Sequence, residues 1–204
     1  NAITFSTGTL DVDNNIEIDG AITISGNATI DIAAGKTLDY DGASLAIGAN
    51  TLTFTGGTGA SDVGTFENAN ALTVSTGQIT VTNNVKVSGD ITMSGNATIS
   101  IANGKTLDYD GASLAIGANT LALTGGTGAN DEGKLDNANA LTISTGTLDV
   151  DNNIEIDGNI TISDDATFDI ASGKTLDYDG DQIDIGDNAL SIIGGGTITN
   201  ANNI

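Results

Sequence analysis

The sequence predicts an all-β protein: a parallel β-helix (β-solenoid) with about three short strands per coil and about nine coils, in three 69-residue repeats. The first observation behind this reading is a fixed step. Thr7-Gly8, Thr76-Gly77 and Thr145-Gly146 open successive copies, and TGTLDVDNNIEIDG is identical at 7–20 and 145–158. GKTLDYDGASLAIGANTL is likewise identical at 35–52 and 104–121. Self-similarity at a fixed period marks a repeat architecture, in which each unit buries its apolar face on the next. The second observation is an apolar period of two, with no i, i+3, i+4 spacing lasting two turns. That pattern fits strands with one buried face and no helix. The third is punctuation: Asn-Asn, Gly-Asn, Asp-Gly and Gly-Lys recur between apolar pairs, and Gly and Asn enter turn conformations at low cost.

In chain order, the apolar pairs fall on three faces. Leu10/Val12, Ile30/Ile32, Leu52/Phe54 and Ile79/Val81 stack on the first. Ile16/Ile18, Leu38/Tyr40, a poorly defined strand near Phe66, and Val85/Val87 stack on the second. Ile22/Ile24, Leu45/Ile47, Leu72/Val74 and Ile91/Met93 stack on the third. At a strand spacing of ~4.8 Å, nine coils form a rod roughly 43 Å long. An antiparallel meander uses similar turns, but a solenoid better explains near-copies in series, because it lays like on like. A glycine-rich insertion at 56–64 (GGTGASDVG) lengthens one coil and has a counterpart at 125–133; the third repeat lacks about six of these residues.

The whole chain, 1–204, is read as one continuous solenoid with repeats at approximately 7–75, 76–144 and 145–204. Its closing NANNI matches the interior NANAL at 68–72, and its opening NAI matches 70–72. A slice or subunit of a longer fibre is therefore expected, its partner being itself through head-to-tail stacking or the rest of a longer chain.

Composition removes several functions. Five lysines face 27 acidic groups, for a net charge of −22, and histidine is absent. Nothing in the chain can neutralise a run of phosphates, so nucleic acid is not an expected partner. No apolar run approaches the length of a membrane span, so no membrane insertion is expected. Without cysteine there is no disulfide, thiolate metal site or cysteine nucleophile. Without histidine, nucleophilic triads and histidine metal sites fall away as well. Paired carboxylates serve glycoside hydrolysis, which keeps a polysaccharide-active enzyme as a third reading. The acids repeat with the fold, however, as structural positions do, and the chain is read as not an enzyme.

Two outward patterns remain. On the second face Glu17 and Asp19 lie beside Asp39 and Asp41, Asp108 and Asp110 follow in the second repeat, and Glu155 and Asp157 lie beside Asp177 and Asp179 in the third. Carboxylates on neighbouring coils repel, so an offset is expected. Lys36, Lys105 and Lys174 at the corners, and Lys86 in place of the glutamate, are one candidate; calcium, which prefers several oxygen ligands, is the other. On the first face Thr51, Thr53, Thr55, Thr80 and Thr82 form a possible ligand or ice-binding array, interrupted by Asp11, Asp31, Asp149 and Asp169. No other cofactor is expected. Turn asparagines are read as satisfying backbone groups, and Tyr40, Tyr109 and Tyr178 as core residues.

The strings LTFTGGTGASDVGTFENANALTVSTG and LALTGGTGANDEGKLDNANALTISTGTLDV resemble the repeats of bacterial surface β-helices, namely autotransporter passenger domains and filamentous-haemagglutinin-like adhesins. The resemblance implies an extracellular or cell-surface stalk or adhesin, with a cell-surface or carbohydrate ligand as a possible partner. The expected function is a structural segment of an extracellular fibre, filament or adhesin stalk. The alternative is a calcium-dependent or ice-binding adhesin module.

Overall fold

The computed structural model describes residues 2–59, 62–68, 70–127, 132–137 and 139–199. The first set of nine strands is β1 (Ile3–Phe5), β2 (Gly8–Val12), β3 (Ile16–Ile18), β4 (Ile22–Ile24), β5 (Ala28–Ile32), β6 (Thr37–Tyr40), β7 (Leu45–Gly48), β8 (Thr51–Thr55) and β9 (Gly64–Asn68). The second adds β10 (Leu72–Val74), β11 (Gln78–Val81), β12 (Val85–Val87), β13 (Ile91–Met93), β14 (Ala97–Ile101), β15 (Thr106–Tyr109), β16 (Leu114–Gly117), β17 (Thr120–Thr124) and β18 (Gly133–Asn137). The third adds β19 (Leu141–Ile143), β20 (Thr147–Val150), β21 (Ile154–Asp157), β22 (Ile160–Ile162), β23 (Ala166–Ile170), β24 (Thr175–Tyr178), β25 (Ile183–Asp184), β26 (Leu190–Gly194) and β27 (Thr197–Thr199). No helix occurs among the described residues.

Every third strand stacks in parallel. One nine-stranded sheet runs from β2 to β26 and a second from β3 to β27, while the third face holds a seven-stranded sheet from β7 to β25 and the separate pair β1–β4. This is the parallel β-solenoid of about nine coils that the repeat predicts. The strand near Phe66, poorly defined in sequence, is the regular five-residue β9.

The register departs from the expected one at specific steps. Leu10 pairs with Ile30 as expected, but Leu52 lies against Ala28 and Phe54 against Ile30, two residues from the expected pairing. The slip recurs where Leu121 meets Ala97 and Leu190 meets Ala166. A turn hydrogen bond accounts for it. Asn27 Oδ1 accepts the Thr51 N–H at 2.9 Å, Asn96 accepts from Thr120 at 2.9 Å, and Asp165 accepts from Ala189 at 2.8 Å. Each bond sets the residue before the leucine above the residue before the alanine. On the third face Val74 pairs with Gly48 rather than Ile47 across a bulge, as Ile143 does with Gly117. Climbing the first face from Thr9 through Thr29 and Thr53 therefore reaches Thr80, whereas the repeat counterpart of Thr9 is Gln78.

Inward side chains form one continuous core. Tyr40, Tyr109 and Tyr178 are fully buried, as are Phe54, Phe66 and Phe168. Phe66 lies 5.3 Å from Phe54 and 6.3 Å from Tyr40, centroid to centroid. The tyrosine hydroxyls are not left unpaired: Ile22 N–H donates to Tyr40 Oη at 3.1 Å and Ile91 N–H to Tyr109 Oη at 3.0 Å. Burial pushes the Tyr109 phenol up to about 12. The glycine of each Tyr-Asp-Gly motif makes room for this arrangement, since a Cβ on Gly111 would lie 2.2 Å from Tyr109 Oη.

The turn asparagines bind the backbone of neighbouring coils. Asn84 accepts from Thr106 N–H at 2.9 Å and donates to the Gly59 carbonyl at 2.9 Å, and Asn153 accepts from Thr175 N–H at 3.0 Å. These bonds satisfy backbone groups that a tight corner otherwise leaves buried and unpaired. Of the two glycine-rich insertions, residues 60–61 and 128–131 lie outside the described residues, as do Asn1 and the closing 200–204 that match interior sequence.

Candidate functional site

The second face places the predicted acids in columns set by the register. Glu17 pairs with Asp39 and Asp39 with Glu67. Lys86 pairs with Thr65 on one side and Asp108 on the other, and Asp108 with Asp136. Lys134 pairs with Glu155, Asp136 with Asp157, and Glu155 with Asp177. Outward positions on one strand lie about 6.8 Å apart and neighbouring coils ~4.8 Å apart, so each lysine is within reach of several carboxylates.

The clusters differ in how their charge is balanced. Lys86 forms a salt bridge with Asp110 and lies 3.7 Å from Asp108. Lys134 Nζ lies 2.8 Å from Asp157, 3.0 Å from Glu155 and 4.0 Å from Asp136. Lys134, which the acidic pattern alone does not single out, thus joins three carboxylates. The corner lysines, expected as the offset, do not supply these pairs, and Lys105 Nζ donates to the Thr58 carbonyl at 3.3 Å. Asp108/Asp110 and Glu155/Asp157 are therefore held largely by ammonium groups from their own chain. Asp177 accepts from Thr199 Oγ1 at 2.8 Å, and Asp179 is exposed at the following corner.

The first-repeat cluster has no lysine in it. Glu17, Asp19 and Asp41 are exposed, with carboxylate oxygens within 4.8 Å of one another, and Asp39 is on the adjacent coil. The Asp19 charge raises the Glu17 carboxyl above its usual range, helped by a hydrogen bond with Asp19 and by the charges of Asp39 and Asp41. Elsewhere burial raises Asp108 against the pull of Lys86, and burial followed by Asp151 and Asp169 raises Asp149. Burial works against the Lys134 ammonium, but hydrogen bonds to Asp157 and Glu155 outweigh it and hold its pKa above the usual lysine range.

These directions fix a pH dependence. A carboxyl raised in the folded state binds its proton more tightly folded than unfolded. Its stabilising contribution is full below the unfolded value and is lost as pH rises through the folded one. Glu17 starts from 4.5, and Asp108 and Asp149 from 3.8. Acidification from neutrality down toward these values is thus expected to raise the melting temperature, and Glu17→Gln to reduce that gain. Calorimetry across this range checks it.

A second expectation follows from Lys134. Lys134→Gln leaves Glu155, Asp157 and Asp136 facing one another, and it is expected to lower stability by about 1 kcal/mol at low ionic strength. The loss shrinks in high salt, where exposed charges are screened. Urea titrations at two salt concentrations measure it.

The register distributes the threonines of the first face among columns. Thr53 pairs with Thr80 and continues a column of Thr9, Thr29 and Ser100. Thr51, by contrast, pairs with Gln78, and Thr98 with Ala122. Thr55 Oγ1 is taken up by Asp31 Oδ1, and Thr82 Oγ1 donates to the Phe54 carbonyl at 3.4 Å. A second column runs through Thr120, Thr147, Thr167 and Ser191, so the face carries two separate threonine-rich columns rather than a flat Thr-x-Thr lattice.

No family profile, curated protein or solved structure matches the chain.

Proposed function

We propose that the chain is a structural segment of an extracellular or cell-surface fibre, a stiff repeat rod in the manner of bacterial surface β-helices. The observation that carries this reading is the stacking of the coils around one continuous core, with two of the three faces formed by nine-stranded parallel sheets. A solenoid of this kind resists bending because every interior coil is bonded to two others along its strands. The test is immunogold labelling of intact source cells with an antibody to the chain. Label along extracellular fibres is expected, and label confined to the cell interior overturns the reading.

The Glu17, Asp19 and Asp41 cluster favours a second reading, a calcium-dependent module, because hard cations take several carboxylate oxygens. Calcium at millimolar concentration then raises the melting temperature of the wild type and not of Glu17→Lys, which copies the lysine of the second repeat. An unchanged wild-type melting temperature removes this reading.

A further inference from the structure

Among the described residues, β1, β2 and β3 have no neighbour on one edge, and β25, β26 and β27 have none on the other. Three inward side chains on these edges are exposed, Ile3 36%, Ile16 36% and Ile192 51%, while Val12 and Ile183 on the same edges are already covered within the copy. The repeat counterparts of the exposed three, Leu72, Leu141, Val85, Ile154, Phe54 and Leu123, are covered by a further coil, with exposures of 0%. An exposed strand edge of this kind is a template for pairing with another chain.

The interior of the molecule contains the matching joint. β16, β17 and β18 are the repeat counterparts of β25, β26 and β27, and they are covered by β19, β20 and β21. β19, β20 and β21 are in turn the counterparts of β1, β2 and β3, and the segment 7–20 is identical to 145–158. The joint between the first and second repeats uses the same register, with Leu52 on Ile79, Leu45 on Leu72 and Phe66 on Val87. The first coil is thus the sequence that this fold already lays on the counterpart of its last coil.

We propose that the partner of the terminal coil is a second copy of this chain, added head to tail in the register of the internal joint. Transferring the pairings of Leu121 with Leu148 and Leu123 with Val150 sets Leu190 on Leu10 and Ile192 on Val12 of the next copy. Transferring Leu114 with Leu141 and Leu135 with Ile156 sets Ile183 on Ile3 and Ile198 on Ile18. The contact is heterologous, so repetition of the operation builds an open filament. Each copy carries a net charge of −22, and the two copies repel at long range. Assembly therefore strengthens with salt, as screening removes that repulsion and leaves the strand pairing and apolar burial.

The register makes the proposal testable without knowledge of cellular context. Ser191 is set beside Asp11 of the next copy, by transfer of Ala122 beside Asp149. Neighbouring strands at ~4.8 Å bring these Cα atoms within disulfide range. The chain has no cysteine, so oxidation of the double variant Asp11→Cys/Ser191→Cys links copies only through these positions. A ladder of covalent multiples is expected. The control Thr9→Cys/Ser191→Cys, with its Cα atoms about 8 Å apart, is expected to cross-link at least about tenfold less. Absence of a ladder, or equal ladders from both variants, overturns the register. In sedimentation of the wild type, the average mass is expected to rise with concentration and with salt. Ile192→Lys is expected to stop that rise without changing the circular dichroism of the monomer. A wild type that stays monomeric throughout overturns the stacking, and leaves the surface-fibre role to its own labelling test.

Discussion

Phe66→Ala is expected to lower stability by about 3–5 kcal/mol, the range for removing a large buried aromatic side chain and leaving a cavity. Phe66 has 0% exposure and bridges Tyr40 and Phe54, so three rings of the first repeat lose their common contact at once. The second repeat solves the same packing problem with Tyr109, Leu123 and Leu135, all fully buried. Phe66→Leu copies that solution and is expected to cost less than about 1.5 kcal/mol. Because stability in a solenoid is a sum of local and nearest-neighbour terms, the loss concentrates near the mutated coil. Urea unfolding gives the magnitude. Amide hydrogen exchange gives its location, with protection falling at Leu38 and Val87, which pair with Phe66 on either side.

Gly111→Ala is expected to destabilise the second repeat by about 1–3 kcal/mol, the usual cost of forcing atoms into a packed interior. Its Cβ would lie 2.2 Å from Tyr109 Oη and 2.5 Å from the Gly89 carbonyl oxygen. The carbonyl belongs to the backbone of the coil alongside and cannot rotate away. Tyr109→Phe is therefore not expected to rescue the variant, because Tyr109 Cζ is itself 2.5 Å from the added carbon. It removes, in addition, the acceptor of the Ile91 N–H. Gly35→Ala is a useful comparison: its Cβ meets nothing within 4 Å, and any cost there comes from its φ of +68° alone. Thermal denaturation of both variants separates steric crowding from backbone strain.

Much of the architecture was legible because a period of two in apolar residues, repeated every 69, dictates which side chains turn inward. Register was not, for the same reason. Shifting Leu52 from Ile30 to Ala28 moves it two places and leaves every inward side chain inward, so the pattern is blind to the slip. What resolves the choice is the side chain of Asn27, bonded to Thr51 N–H. The outward surface inherits that uncertainty. Lys134 meets Glu155 and Asp157 only once Leu135 aligns with Ile156, and its first-repeat counterpart is the uncharged Thr65. The threonine face suffered likewise, since Thr51 falls on Gln78 and Thr55 on Asp31 once the strands are aligned. The acidic columns were legible as positions; their division into lysine-balanced clusters and the open group at Glu17 required the register.

The parallel stacking itself is tested most directly by backbone nuclear Overhauser contacts in the isotopically labelled chain. Cross-strand contacts linking Thr29 with Thr53, and Thr53 with Thr80, are expected from parallel strands in the slipped register. Ladders of contacts joining β2 to β3 or β5 to β6, as in an antiparallel meander, would contradict it.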